Sequence, residues 1–416
     1  MSEDRPARAL EGLNVVELPC LDSMPFLAGA MAAKSFADFG AEVIKVEPPE
    51  GAPERRLGPF RDGTPDPEAG GLHLFLNTNK LGVTLDLKRP RAREILFGLL
   101  EKADVLFNPN LPELNEGMEM GWRRMLQRFP RLIVVSLTPF GADSPYRRFR
   151  GGDLVATHMS GVGYETPWHQ VTDPANQPPL RLAGRQSDHL AGYTAAAAAM
   201  VALFDRKRNG AGQHVDVSQW LAMVSMIRPN LGAATHEAPD APGYQRMSIR
   251  RKAGAQWVYP CRDGWVSFNA GTDRFWRGWK EVMESPEWMD AEIFATAAGR
   301  AMHVDVIEAA IHDWLSTITK REAFERGQSH HVPCFPVHTI AEVADNSQYA
   351  ARGFFITHEH PVAGTVKLPG APCRFSRTPW RIVRGAPRLG EHNRAIFRRI
   401  GIDDNTAAAL AAEGII

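Results

Sequence analysis

The first third of this chain constrains its fold most, because short β-rich runs alternate there with helical patterns. Asn14 to Leu18 reads as a strand, followed by a small-residue helical stretch from Ala28 to Phe39. Gly40 breaks that helix, and Ala41 to Val46 reads as a second strand. A helix is expected from about Arg91 to Lys102, with Ile95, Leu96, Leu99 and Leu100 on one face. Val105 to Phe107 and Leu132 to Leu137 supply further strands, separated by a helical stretch ending near Arg128. Strand, helix, strand repeated in this way predicts an α/β fold with a Rossmann-like parallel sheet and helices on both faces. No GxGxxG follows the first strand, which argues against an NAD or FAD site.

Beyond this third, a second helical block runs from His189 to Arg208 around the alanines 195–199, whose small side chains favour close helix approach. His214 to Val217 reads as another strand. From Leu231 to about Ala255 the chain is rich in Pro, Gly, Ala and charge, the composition of a linker or a long functional loop. Trp257 to Ala270 alternates like a hairpin turning at Arg262-Asp263-Gly264. Helices are expected at Arg274 to Met283, Val304 to Ser316 and Lys320 to Glu325. Three parts follow: residues 1–230 as a large α/β domain, 231–337 as a smaller α+β domain, and 338–416 as a C-terminal segment returning to the large domain.

At 416 residues the chain is long enough for such a division. Forty-eight basic residues balance forty-eight acidic ones, so no global field favours nucleic acid or a membrane surface. Cys20, Cys261, Cys334 and Cys373 are scattered without a CxxC pair, as reduced thiols of a cytoplasmic protein would be. No metal site is expected from them. The charged start MSEDRPARALEG lacks the apolar core of a secretory signal. The longest apolar run, Ala195 to Phe204, is about half of what a membrane span needs.

Several stretches together resemble the family III CoA-transferases, whose superfamily also holds the α-methylacyl-CoA racemases. Phe39 to Glu47 is similar to the family's second strand and its approach. Asn77-Thr78-Asn79-Lys80 with Thr84 to Lys88, Phe140-Gly141 with Ser144-Pro145-Tyr146, and Asp153 to Ala156 with Ser160-Gly161 match further motifs in order. Arg206-Lys207-Arg208 with Gly210 to Val215, then Ala371-Pro372 to Pro379 and Pro387 to His392, continue the match toward the end. The family's nucleophilic aspartate stands four residues before a glycine on a long helix. Here Asp188 precedes Gly192 by four.

That resemblance implies covalent catalysis. The Asp188 carboxylate attacks an acyl-CoA thioester to give an anhydride, CoA returns to the aspartate as a thioester, and an acceptor acid takes it over. The start of a helix favours the charge and offers amides for an oxyanion. On local sequence alone, an N-cap is the commoner job for an aspartate in this place. The resemblance also implies CoA contacts at Leu27, Ala28, the turn Leu85-Asp86-Leu87-Lys88, and Arg150. For Lys88 and Arg150 the bland reading is a solvated surface charge, and Arg55 and Arg56 divide between nucleotide contacts and exposed arginines. CoA thioester enters as substrate, and no prosthetic group is implied.

His189 invites a general-base role that its position on a helix does not require. Residues 253–256 loosely resemble the family's glycine-rich lid, with two glycines replaced by alanine. Trp265, Trp276 and Trp279 read as core or interface packing. Pro48 stands where the family carries an arginine. The racemase branch pairs the aspartate with a histidine at the position that Gly152 holds here, which argues against two-base racemisation. A lyase on the same scaffold, or a non-catalytic CoA-binding subunit, are the other readings. The family further implies a ring-like protomer in an interlocked homodimer, with a mixed oligomer as the alternative.

Overall fold

The structure, a computed structural model, describes residues 7–21, 26–167, 171, 173, 176–236 and 257–416. These divide into two compact units. The first holds residues 1–163, 181–228 and 352–416, and the second holds 164–180 and 229–351. Expectation had placed the boundaries at 230 and 337. In the structure the insertion 164–180 groups with the second unit, and that unit runs on through the short helices Ile340–Ala344 and Ser347–Ala351.

The first unit is built on six parallel strands: β1 (Asn14–Glu17), β2 (Glu42–Glu47), β3 (Leu81–Thr84), β4 (Val105–Asn108), β5 (Ile133–Thr138) and β6 (His214–Ser218). Their order across the sheet is β3-β2-β1-β4-β5-β6. The order reverses direction between β1 and β4, the switch point outside which ligands bind in open α/β sheets. Helices α1 (Ala28–Asp38), α2 (Gly71–Leu76), α3 (Pro90–Leu100), α4 (Pro112–Gly117), α5 (Trp122–Arg128), α6 (Asp153–Met159), the first two residues of α7 (Val162–Glu165), α8 (Gln186–Asn209) and α9 (Gln219–Val224) complete its frame. On one face of the sheet α1 and α8 bury Phe36, Ala195 and Ala199 against Val15, Phe107 and Val135. On the other, α3 buries Ile95, Leu96 and Leu99 against Val83 and Leu106, joined by Ile396, Phe397 and Leu410 from the C-terminal helices. Two buried faces explain why the strands read as nearly continuous apolar runs.

β3 was not expected. It is four residues long, and its Gly82 lies where an added Cβ would meet Pro387 at 3.0 Å, so the strand lacks the alternation that betrays one. Helix α8 starts three residues before His189, at Gln186. The stretch expected to be a linker from Leu231 is helical as far as His236, and its remainder lies outside the described residues.

Beneath α1 the same unit buries a cluster of charge. Lys45 Nζ bridges Glu17 (2.9 Å) and Glu54 (2.6 Å), and Lys80 Nζ meets the other Glu17 oxygen at 2.6 Å. Lys80 also donates to the Ala30 carbonyl in α1 at 2.9 Å. Arg55 grips both oxygens of Glu47, at 2.6 and 2.8 Å, and reaches Glu68 and the Pro387 carbonyl. Arg55 is therefore a buried structural cation, whereas Arg56 is exposed and caps the Glu50 carbonyl.

In the second unit, β7 (Val258–Cys261) and β8 (Gly264–Phe268) form the expected hairpin, and β9 (Cys334–Pro336) extends it antiparallel. Trp276 and Trp279 lie in its core with Phe268, Ile307 and Leu315, while Trp265 is half exposed.

Candidate functional site

Asp188 is buried, 1% exposed, in the first turn of α8. Local backbone sets this up. Gly184 and Arg185 both take left-handed φ values, +77° and +57°, so the chain reverses immediately before the helix. A non-glycine residue in that region is uncommon. The reversal brings the Arg185 side chain back over the first turn, where its Nε donates to Asp188 Oδ2 at 2.8 Å.

Asp188 does not cap its own helix, since Arg185 holds the cap position of α8. It caps another. The Leu27 amide, one of the unsatisfied donors at the start of α1, donates to Asp188 Oδ1 at 3.4 Å. What allows this reach is Gly192: a Cβ there would stand 2.8 Å from the Ala28 carbonyl and 2.6 Å from Met31 Cβ. The four-residue spacing from aspartate to glycine therefore has a physical cause, the close crossing of α1 and α8.

A third donor is Gln219, at the first position of α9. Ser218 caps α9 by accepting from the Leu221 amide, and this fixes where Gln219 sits. Gln219 is fully buried; its Nε2 donates to Asp188 Oδ1 and to Ser187 Oγ, both at 2.9 Å. Ser187 in turn donates its hydroxyl (2.7 Å) and amide (3.2 Å) to Asp153 Oδ1 at the start of α6. Arg181 stands 3.4 Å from Asp153 Oδ2. Burial pushes the Asp188 carboxyl up from 3.8 to about 6, with Asp153 adding to the rise and Arg185 and the Leu27 amide opposing it. At pH 7 the carboxylate still outnumbers the acid about tenfold.

The other expected residues fall into two groups. Leu27 and Ala28 adjoin Asp188 at the start of α1. Leu85 and Leu87 turn their side chains into the core, and the Asp86 amide donates to the Ile415 carbonyl, so only the Asp86 carboxylate and the exposed Lys88 face outward. Arg150 is exposed and lines a cavity of about 670 Å3 with Arg148, Glu113, Leu21, Leu111 and Leu114. This cavity lies at the β1/β4 switch point, where Leu21 donates to Asn110 Oδ1 and Asn110 donates to the Pro19 carbonyl. A second cavity of similar volume, lined by Trp122, Arg123, Ser136, His214 and Asp216, opens beside β5 and β6. His189 is half-buried against Phe75, and no hydrogen bond joins it to Asp188 among the described residues. Residues 253–256 lie outside the described residues. Among the described residues no cluster suits a metal ion, and no helix is long and apolar enough to cross a membrane.

Sequence reasoning missed Arg185 and Gln219, and Asp153 figured only as a motif residue. Gln219 follows a strand and a capping serine, with no pattern that ties it to a residue thirty-one positions earlier.

The six-stranded parallel sheet with its helices agrees with what comparison finds. Residues 10–393 match the profile of CoA-transferase family III. The chain belongs to that family, and is a CoA-transferase. It is 30% identical over all of both chains to succinyl-CoA–D-citramalate CoA-transferase of Chloroflexus aurantiacus. It shares 30% identity with subunit BbsE of succinyl-CoA:(R)-benzylsuccinate CoA-transferase of Thauera aromatica, over 90% of this chain and 91% of that one. A solved CAIB/BAIF family protein from Brucella suis superposes with a TM-score of 0.80 at 25% identity, covering 95% of this chain and 100% of its own.

Proposed function

We propose that this CoA-transferase moves CoA from an acyl-CoA donor to a carboxylic acid through Asp188, by way of an aspartyl anhydride and an aspartyl-CoA thioester. The observation that carries the reading is the Asp188 carboxyl itself: buried, supplied with donors on both oxygens, and ionised at neutral pH. Oδ2 is the attacking oxygen, because among the described residues it meets Arg185, 22% exposed at its side chain, while Oδ1 is held by the buried Leu27 amide and Gln219. As Oδ2 bonds to the thioester carbon, the C–S bond breaks and the negative charge passes to CoA thiolate, which keeps a cation beside it in Arg185.

CoA binding is assigned to the parallel-sheet unit. Arg150 and Arg148 suit the phosphates of CoA at the switch-point cavity, with Lys88 and the Asp86 turn as further contacts. Leu21 in that cavity and Leu27 beside Asp188 are six residues apart, hence within about 20 Å. A pantetheine arm bridges such a span. Both 30%-identical relatives are named for succinyl-CoA, so succinyl-CoA leads the donor panel, with branched dicarboxylic acids as acceptors.

An intertwined homodimer of ring-like protomers fits the exposed stripe Tyr193, Met200, Val201 and Phe204 along α8. Relatives named as alpha and beta subunits make a mixed assembly the competing arrangement. Light scattering that reports a lone monomer overturns both. Gly152, extended and without a side chain, leaves racemisation no second base beside Asp153.

The mechanism is tested with acceptor acid labelled in its carboxylate by 18O. Each turnover leaves one acceptor oxygen on the aspartate, so the Asp188 peptide gains two mass units. Transfer without label on that peptide rules the pathway out.

A further inference from the structure

Asp188 holds its two oxygens in unlike surroundings, and the difference assigns a task to a residue outside the family motifs. Oδ1 is bound from the inside by the Leu27 amide and Gln219 Nε2, groups that are 4% and 0% exposed. Oδ2 meets only the partly exposed Arg185 in the described structure.

The orientation of the Gln219 amide follows from its neighbours. Ser187 Oγ lies 2.7 Å from Asp153 Oδ1, so the serine proton is directed to that carboxylate. The serine oxygen is then left as an acceptor, and the group 2.9 Å away must be the amide nitrogen of Gln219. Both amide hydrogens are thereby engaged, one on Ser187 and one on Asp188. The amide oxygen, Oε1, is buried and has no hydrogen-bond partner among the described residues. Burying an unpartnered acceptor disfavours folding, and a methionine or leucine of similar size would avoid it. Stability alone does not account for a glutamine here.

We propose that Gln219 is a catalytic residue, its Nε2 forming with the Leu27 amide the oxyanion hole for Asp188 Oδ1. This rests on Asp188 being the nucleophile. Attack through Oδ2 leaves Oδ1 as the carbonyl oxygen of the aspartyl anhydride. When CoA thiolate attacks Cγ, the C–S bond forms and the Cγ–Oδ1 π pair moves onto Oδ1, which becomes an oxyanion. Collapse restores the carbonyl, breaks the Cγ–Oδ2 bond and releases the donor acid as its carboxylate. One negative charge enters with the thiolate and one leaves with the acid. Acceptor attack on the aspartyl-CoA thioester passes through the same oxyanion, with thiolate as the leaving group. A donor at 2.9 Å on Oδ1 meets the geometry that such a site requires. The first attack, on the substrate thioester, builds its oxyanion on the substrate and does not use this hole.

The separation of steps supplies the test. Wild-type enzyme and the Gln219→Met variant are mixed with succinyl-CoA, or the donor that the transfer assay selects, and quenched over a time course. Loss of the donor thioester reports the first attack, and CoA mass on the Asp188 peptide reports attack at Cγ. The variant is expected to consume the donor thioester in its first turnover within about threefold of the wild-type rate while loading CoA on Asp188 about 10² to 10³-fold more slowly. A second variant, Gln219→Glu, removes the donor and adds a negative charge; it should slow the same step and move the acid limb of kcat/KM to higher pH. CoA loading at the wild-type rate in both variants overturns the proposal. So does an equal fall in both steps in variants whose thermal unfolding matches wild type. Failure of the nucleophile assignment is read separately, as wild-type enzyme that turns over with no adduct on the Asp188 peptide.

Discussion

The charge cluster under α1 and the Asp188 pocket bury carboxylates in the same unit, yet push them in opposite directions. Glu47 is held down at about 2, because Arg55 grips both its oxygens and Lys45 lies close by. Glu17 is likewise lowered between Lys45 and Lys80. Asp188 rises to about 6 with one arginine, a neighbouring Asp153, and neutral donors for the rest. Desolvation acts on all three. What differs is how the cations meet each carboxylate: Glu17 is met by two lysines and Glu47 on both oxygens by Arg55, while among the described residues Asp188 is met by a cation on one oxygen, through Arg185. A fully matched buried charge braces a fold; an under-matched one retains reactivity.

Breaking each region should expose this contrast. The largest effect is expected from Asp188→Asn, which removes the proposed nucleophile and lowers kcat on the order of 10³-fold or more, measured by transfer of label into a new thioester. Next is Lys45→Met, which leaves Glu17 and Glu54 short of a cation inside the protein. It should lower unfolding free energy by about 3–5 kcal/mol in denaturant titration, with little loss of activity per folded molecule. Asp188→Asn should instead stabilise the protein by about 1–2 kcal/mol at pH 7, since the folded state no longer holds a disfavoured carboxylate. That gain has a definite pH course. A carboxyl raised on folding favours the folded state when protonated, so its contribution is full below 3.8 and lost as pH rises through about 6. The stability difference between wild type and Asp188→Asn should therefore vanish near pH 4. Glu47 runs the other way: its contribution is present above 4.5 and lost as pH falls through about 2. The smallest effect is the acid limb of kcat/KM, expected near pH 6 in wild type and moved upward in Arg185→Gln, because Arg185 opposes the rise.

Much of the large unit was legible in the chain, since strands buried on both faces and helices with one apolar stripe carry strong periodic signals. Gly192 and Asp188 were readable as a spaced pair, although the reason for the spacing, the approach to Ala28 and Met31, needs three dimensions. β3 was hidden by its brevity and by a glycine required for packing against Pro387. Lys45 and Glu47 alternate with valine and isoleucine in a way that suggests a solvated face, and the cluster that buries them depends on partners as distant as residue 80. Leu85 and Leu87 show the opposite failure: a motif marks the stretch, but the side chains that it names belong to the core.

The three donors to Asp188 come from residues 27, 185 and 219, and Arg55 is completed only by the carbonyl of Pro387. A ribosome delivers this chain from its amino end. The Asp188 carboxylate thus lacks its last donor until residue 219 has emerged, and the brace beneath α1 stays open until residue 387 has.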